Sequence, residues 1–213
     1  MRQMTDLKEH WEKVYGKGDG DVSWYQITPE PSLGLILEHY ANAERGVIDI
    51  GAGASALVDG LFEAGLTDIT LLDISASALE IARKRLSNKG FEPKTVVHDI
   101  TEWEPDRTWG VWHDRAVFHF LVRDQDRTAY LESLENATSN GSIVVIGTFA
   151  LDGPERCSGL PVKRYSASIL SELLGDGYLL LKESNHRHVT PTGREQRFQF
   201  SVFARGNADL PLP

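Results

Sequence analysis

The sequence predicts an α/β fold in which helices cover both faces of a doubly wound and mostly parallel sheet. Three observations favour this fold. From residue 46 onward, short apolar runs typical of buried strands alternate with helical patterns. The first run turns through two glycines directly into a helical pattern. The last two apolar runs have no helical pattern between them, which predicts an antiparallel hairpin at the sheet edge. Strands that alternate with helices form parallel sheets buried on both faces.

Hydrophobic periodicity and turn residues define the individual elements. Gly65 and Gly90 are expected to end the helices that follow the first two strands, because glycine readily adopts the left-handed conformation at a helix end. Ser77 and Glu80 have the spacing of a capping box at the start of the second of these helices. Helices are predicted over residues 5–15, 33–37, 124–137 and 166–174, and strands over 47–50, 69–73, 95–98, 110–116, 142–148, 178–183 and 198–204.

Composition excludes several classes of function. The formal net charge is −9, with 22 Lys and Arg against 31 Asp and Glu, so no nucleic-acid partner is expected for this acidic surface. The one cysteine, Cys157, allows neither an internal disulfide nor a multi-cysteine metal site. No apolar run approaches the roughly 20 residues that span a bilayer, and the N-terminus lacks a signal-peptide core. The sequence therefore predicts a cytoplasmic protein without a membrane partner or a catalytic metal.

The turn after the first strand predicts a nucleoside-cofactor pocket. Gly51, Gly53 and Ala56 fit the spacing G-x-G-x-x-A, and Asp73 ends the next strand at the distance of a ribose-binding acid. These residues alone leave an NAD-dependent oxidoreductase open. Asp49 lies two residues before the turn, where its carboxylate would repel a pyrophosphate and attract a ligand with a cationic end. S-adenosylmethionine is such a ligand.

Acidic and apolar residues also follow the next two strands. Asp73 can accept two hydrogen bonds from ribose hydroxyls, and Ile74 beside it can lie against adenine. Asp99 follows the third strand and can accept from the adenine amino group, with Ile100 flanking the ring. Asp73 could serve either cofactor, so Asp49 is the residue that favours S-adenosylmethionine over NAD.

With these motifs the chain resembles the class I S-adenosylmethionine-dependent methyltransferases. The matching pieces are VIDIGAG at 47–53, LLDIS at 71–75 and HDI at 98–100, within a likeness that covers roughly 45–205. The resemblance implies an enzyme with a Rossmann-like sheet of seven strands in the order 3-2-1-4-5-7-6, strand 7 being antiparallel. S-adenosyl-L-methionine would be the cofactor and S-adenosyl-L-homocysteine its product. The cofactor contacts implied are Asp49, Gly51, Ala52, Gly53, Asp73, Ile74, His98, Asp99 and Ile100.

The methyl acceptor is expected beyond the fourth strand. Methyl transfer is an in-line displacement that depends mainly on alignment, and it needs a base only when the nucleophile carries a proton. The catalytic candidates are Asp114, which is also a cofactor candidate, together with His119 and Tyr25. Trp24 is expected to close over the sulfonium through a cation–π contact. The substrate candidates are Arg115, Arg156, Cys157 and His186.

A finer resemblance concerns the acceptor. WHDRAV at 112–117 resembles the corresponding stretch of thiopurine and related thiol S-methyltransferases. WEKVY at 11–15 and VSWYQ at 22–26 resemble both these enzymes and methyltransferase-like lysine methyltransferases. The prediction is one domain over residues 1–213, with a lid segment at 1–44. The enzyme is expected to methylate a sulfur or nitrogen atom of a small molecule. Protein lysine methylation is the alternative, and a non-catalytic cofactor-binding subunit stays open. A monomer or homodimer is expected.

Overall fold

A seven-stranded sheet occupies the middle of the molecule. The computed structural model describes residues 4–16, 28–190 and 192–206. Its strands are β1 Val47–Ile50, β2 Ile69–Asp73, β3 Lys94–Val97, β4 Val111–Arg115, β5 Ile143–Phe149, β6 Arg156–Cys157, β7 Leu160–Pro161, β8 Tyr178–Val189 and β9 Glu195–Arg205. The sheet order is β3-β2-β1-β4-β5-β9-β8, and β6 and β7 form a separate small hairpin. β9 is antiparallel to β5 and to β8, while the other neighbours are parallel. The predicted order 3-2-1-4-5-7-6, with an antiparallel last strand, is confirmed.

Helices lie on both sides of this sheet, as predicted. They are α1 Met4–Tyr15, α2 Ser32–Leu37, α3 Tyr40–Ala43, α4 Leu57–Glu63, α5 Ala76–Ser87, α6 Asp124–Ala137 and α7 Ala167–Leu174, and a 3-10 turn covers Phe118–Phe120. Successive residues of a strand point to opposite faces, so β1 contributes Val47 to one core and Ile48 to the other. The first core contains α2, α4 and α5, and the second contains α6 and α7.

Three local predictions were incomplete or wrong. The N-cap of α5 is Ser75, whose hydroxyl accepts from the Ala78 amide at 3.2 Å, and not Ser77 of the expected capping box. Ser77 instead donates its hydroxyl to Glu12 of α1. β8 and β9 extend further than predicted, because they pair with each other from Tyr178 and Arg205 outward to Val189 and Glu195. The short β6–β7 hairpin was not predicted.

The sheet has a switch point between β1 and β4. The chain winds from β1 toward β2 and β3 on one side, and returns to β4 and β5 on the other. In such sheets a crevice opens at the carboxyl ends of the strands where the winding reverses. Helix α1 is attached near this edge, because Glu12 accepts from the Ala76 amide of α5 at 2.7 Å. Within the described ranges, no helix is both long and apolar enough to cross a membrane.

Candidate active site

A cavity opens at the carboxyl ends of β1, β2 and β4. Its wall combines residues that end or follow these strands with one face of α1 and with the turn after β4. The described lining comprises Leu7, Trp11, Tyr15, Ile50, Gly51, Leu72, Asp73, Ile74, His98, Asp99, Ile100, Thr101, Arg115, Ala116, Val117, Phe120, Leu121, Arg123, Asp126 and Cys157. The cavity therefore lies at the switch point of the sheet.

The glycine turn leaves no room for side chains on its two key residues. Gly51 and Gly53 have φ values of +64° and +56°, a conformation that favours glycine. A Cβ on Gly51 would lie 2.0 Å from a Val117 methyl group. A Cβ on Gly53 would lie 2.3 Å from the Tyr15 hydroxyl of α1. Ala52 between them is buried. The turn is thus packed between the end of β4 and α1.

Asp73 joins the glycine turn to the cavity wall. Its Oδ2 accepts from the Gly53 amide at 2.9 Å, and its Oδ1 accepts from the Ser75 amide at 2.8 Å. Burial raises the pKa of Asp73 to about 6, although these two hydrogen bonds oppose the rise. A carboxylate can accept about four hydrogen bonds, so Asp73 retains capacity for a ligand.

Residues after β3 form the far end of the cavity. Asp99 Oδ1 accepts from the Thr101 amide at 2.9 Å and from its hydroxyl at 2.8 Å. The exposed ring of His98 lies beside the Asp99 carbonyl, with its Nδ1 3.0 Å away. Ile74 and Ile100 supply apolar wall nearby. The structure therefore brings together, around one cavity, the predicted residues that follow β2 and β3.

Asp49 is placed differently from the prediction. Its side chain is buried, and Oδ1 lies 2.6 Å from Nδ1 of His113, the residue opposite it on β4. His113 Nε2 lies 2.8 Å from the Ser32 hydroxyl of α2. Since a carboxylate only accepts, Nδ1 donates to Asp49, and in the neutral ring Nε2 accepts from Ser32. Asp49 thus belongs to a buried network behind the described wall, not to the wall itself.

Sequence reasoning missed this network, although a signal was present. Asp49 and His113 are polar positions inside otherwise apolar strands. Pairing two such positions requires the strand register, which the sequence does not provide. The charge of Asp49 still reaches the site, because it contributes, after burial, to the raised pKa of Asp73.

Asp114 lies fully buried behind the cavity wall. Its carboxylate accepts from the Val117 amide at 2.9 Å, the Phe118 amide at 3.0 Å and the Tyr130 hydroxyl at 2.7 Å. Burial raises the pKa of Asp114 to about 6. These three contacts order the turn that follows β4, and Asp114 is not among the described residues that line the cavity.

His119 is also fully buried, among aromatic side chains. Its Nδ1 accepts from the Phe149 amide at 3.4 Å, and its ring packs against Phe120 and Phe149. Burial, with a smaller contribution from the charge of Arg115, lowers the pKa of His119 to about 3. The ring is therefore neutral, and it lies behind the described wall rather than on it.

The four substrate candidates separate into two pairs. Arg115 and Cys157 both line the cavity, and Cys157 is buried. Arg156 is exposed and donates to the Gly159 carbonyl, and His186 lies half-buried on β8, edge-on to Phe200. Arg156 and His186 thus stand outside the described lining. Trp24 and Tyr25 lie outside the described residues, so their predicted roles stay predictions.

Helix α1 supplies wall residues that sequence reasoning did not assign to the site. Leu7, Trp11 and Tyr15 line the cavity, and Trp11 meets Phe120 edge-on at 5.2 Å. Leu7 and Trp11 are spaced by four residues, which predicts one helix face. The sequence does not show which surface that face covers.

A family model described as "Methyltransferase domain" matches residues 47–141. The chain carries a class I S-adenosylmethionine-dependent methyltransferase domain. The region matched by the family model begins with β1 and includes the glycine turn, Asp73 and Asp99. Among the described residues of this methyltransferase, no cluster of three or more His, Cys, Asp or Glu side chains is placed to hold a metal ion.

Two curated relatives of the methyltransferase differ in the acceptor they are named for. The mouse eEF1A lysine and N-terminal methyltransferase is 23% identical over 92% of this chain. That match spans only 28% of the mouse protein. The trans-aconitate 2-methyltransferase of Rhizobium etli is 28% identical over 54% of this chain and 43% of its own length.

Solved structures share the fold of the methyltransferase. The 1,6-didemethyltoxoflavin-N1-methyltransferase of Burkholderia thailandensis aligns with a TM-score of 0.70 at 17% identity, covering 94% of this chain and 88% of its own. A structure from work on converting a disulfide bond into a thioacetal group in echinomycin biosynthesis aligns with a TM-score of 0.74 at 21% identity. The alignment covers 95% of this chain and 94% of that structure's chain. These likenesses establish the architecture only.

Proposed function

We propose that this methyltransferase transfers a methyl group to the sulfur or nitrogen of a small-molecule acceptor. The observation that carries the proposal is the position of α1. Leu7, Trp11 and Tyr15 of this helix form part of the cavity wall, and Glu12 attaches the helix to the start of α5. A cavity covered by a helix suits a small ligand, whereas a protein substrate would need an open groove.

The wall fits S-adenosylmethionine. Asp73 would accept hydrogen bonds from the ribose hydroxyls. Ile74 and Ile100 would pack against the faces of adenine, and Asp99 would accept a hydrogen bond from the adenine amino group. The glycine turn at Gly51 would hold the methionine part. When bound, the cofactor supplies a methyl group that its sulfonium has already activated.

The arrangement favours a nucleophile that needs little help from a base. Asp114 and His119 lie behind the described wall. On the wall, Asp73, His98 and Asp99 stand at the proposed cofactor end, and the carboxylate of Asp126 is ion-paired with Arg123 at 2.6 Å. A lone pair of the acceptor would form the new bond to the methyl carbon as the bond to the sulfonium breaks, and the bonding pair would stay on that sulfur. Aligned reactants recover roughly 7–11 kcal/mol of the barrier. A thiolate or a neutral amine meets these requirements.

Comparison supports more than one acceptor class. The Rhizobium and Burkholderia proteins are named for small-molecule acceptors. The mouse relative, named for lysine and N-terminal methylation, matches along 92% of this chain, compared with 54% for the Rhizobium protein. Protein methylation is therefore the second candidate function.

A labelled-methyl transfer screen tests the proposal. The purified protein is incubated with methyl-tritiated S-adenosylmethionine and cell extract, which is then separated into protein and small-molecule fractions. We expect label in the small-molecule fraction. The Asp73→Ala variant is the control, because it removes the proposed ribose contact. Label confined to a protein band would overturn the small-acceptor proposal and favour protein methylation.

A further inference from the structure

The described cavity wall carries five charged side chains. Arg123 and Asp126 are ion-paired with each other at 2.6 Å, and the other three are separated across the width of the sheet. Asp73 and Asp99 follow β2 and β3, on one side of β1. Arg115 ends β4, on the other side, and its guanidinium lies over the ring of Phe198 at 5.1 Å. Phe198 belongs to β9, beyond β5. The guanidinium therefore points away from the proposed ribose and adenine sites.

Arg115 has neighbours on both sides of the cavity. Cys157, from the segment after β5, lines the same cavity, and Asp49 and Tyr15 on the side of the glycine turn are close enough to favour the cation of Arg115. The charge of Arg115 also adds to burial in lowering the pKa of His186 on β8. Burial lowers the pKa of Arg115 itself to about 10, so the side chain stays cationic at neutral pH.

The rest of this region is apolar and aromatic. Trp11, Phe120 and Leu121 line the cavity with Arg115, and Trp11 and Phe120 pack edge-on at 5.2 Å. A cation at the margin of an aromatic wall suits a ligand with an apolar body and one anionic group. The planar guanidinium matches a carboxylate through two parallel hydrogen bonds.

We propose, resting on the proposed function, that the small acceptor is an apolar or aromatic acid whose carboxylate is bound by Arg115. The nucleophilic sulfur or nitrogen is a separate atom of the same molecule. Arg115 then determines specificity by fixing the acceptor's orientation, and it takes no proton. An uncharged analogue of the same shape would offer Arg115 a neutral acceptor in place of a carboxylate, whose two charge-assisted hydrogen bonds are stronger.

Binding of a matched pair of probes tests this inference. Thiosalicylate and its uncharged amide, thiosalicylamide, share a thiol and an aromatic ring but differ in the charge of one group. Each is titrated calorimetrically into protein saturated with S-adenosylhomocysteine. We expect the acid to bind at least about tenfold more tightly than the amide.

Variants assign this preference to Arg115. In Arg115→Met we expect the preference to fall to within about twofold, with the affinity for S-adenosylhomocysteine also within about twofold of wild type. Arg115→Lys keeps the charge and should retain part of the preference. Arg156→Met removes an exposed arginine outside the described cavity wall, so the ratio of acid affinity to amide affinity should stay unchanged. Thermal melting checks that each variant is folded.

Three results would overturn the inference. The first is equal binding of acid and amide to the wild type, or binding of neither. The second is a preference that survives in Arg115→Met. The third is a loss of about tenfold or more in S-adenosylhomocysteine affinity in that variant, which would assign Arg115 to the cofactor's own carboxylate. The comparison of acid and amide binding to the wild-type protein tests the inference even if no variant folds. Failure of the proposed function is distinguishable, because it appears as label confined to protein in the transfer screen.

Discussion

At the scale of single residues, Asp73 couples the glycine turn to the proposed ribose site. Its two oxygens accept from the amides of Gly53 and Ser75, which fixes the carboxylate at the end of β2. The same burial that orients the group raises its pKa to about 6. The carboxylate form, which the proposed ribose contact requires, is therefore lost in mildly acidic solution.

Cofactor affinity should follow this titration. As the pH falls from about 7 to about 5, Asp73 gains a proton and loses acceptor capacity for ribose hydroxyls, so S-adenosylhomocysteine should bind about tenfold more weakly. Calorimetric titrations across this range measure the effect. Asp73→Asn should bind more weakly at neutral pH and lose most of the pH dependence. An unchanged profile in that variant would assign the titration to another group.

The Ser32–His113–Asp49 network makes a second prediction at this scale. His113→Leu leaves the Asp49 carboxylate buried without its hydrogen-bond donor, which should lower the free energy of unfolding by about 3 kcal/mol. Ser32→Ala removes one neutral hydrogen bond and should cost about 1 kcal/mol. Urea denaturation measures both variants. The double variant Asp49→Leu with His113→Leu should recover part of the loss, because no buried charge remains. If His113→Leu were as stable as the wild type, His113 would not be needed as the hydrogen-bond donor to Asp49.

At the scale of elements, α1 is the part of the described structure that covers the cavity. Glu12 accepts from the Ala76 amide and from the Ser77 hydroxyl, so one carboxylate attaches this helix to the start of α5. A carboxylate at a helix N-terminus is also favoured by the exposed amides and the helix dipole there. The position of α1 over the cavity therefore depends on the hydrogen bonds of Glu12 as well as on the apolar side chains Leu7 and Trp11.

Loosening this contact should speed ligand release. Glu12→Ala removes the acceptor for both donors on α5, and we expect S-adenosylhomocysteine to dissociate about three- to tenfold faster. Stopped-flow displacement measures the rate. Glu9→Ala is the matched control, since Glu9 is exposed on the same helix. Equal rates for wild type and Glu12→Ala would show that α1 does not limit release.

At the scale of the whole molecule, the sequence predicted most of the sheet. Apolar runs located β1 and β2 to the residue, because buried parallel strands are apolar on both faces. The order of the strands came from the family resemblance rather than from periodicity. The long β8–β9 hairpin was underestimated because the outer half of β8, from Lys182 to His188, is entirely polar and mostly exposed, so it lacks the apolar pattern of a strand.

The sequence was less informative about the direction of side chains. Asp49 stands at the correct end of β1, but the pleat and the register with β4 turn it toward His113. Asp114 lies near the end of β4 and His119 follows that strand, as predicted. The Asp114 carboxylate, however, points to Tyr130 in the second core, and the His119 ring packs against Phe120 and Phe149. The residues that end strands β2 and β4, Asp73 and Arg115, do reach the cavity. Position along a strand was therefore predictable, and the choice of face was not.

Ligand binding should stabilise the whole domain. With S-adenosylhomocysteine at about 100 times its dissociation constant, the folded state gains about 2.7 kcal/mol. For a chain of this size the melting temperature should rise by about 5–10 °C. Differential scanning fluorimetry measures the shift, and NADH at the same concentration should produce none. A shift with NADH alone would favour a dinucleotide site.

The position of β9 has a consequence for biosynthesis. This strand lies between β5 and β8, yet among the described strands it is the last along the chain. β5, whose seven residues are all buried, therefore keeps one unpaired edge until the ribosome has released the residues up to Arg205. Unpaired apolar edges are sites of aggregation in nascent chains. Premature termination before β9 should consequently yield polypeptides that associate through β5, even though every residue of the glycine turn has already been made.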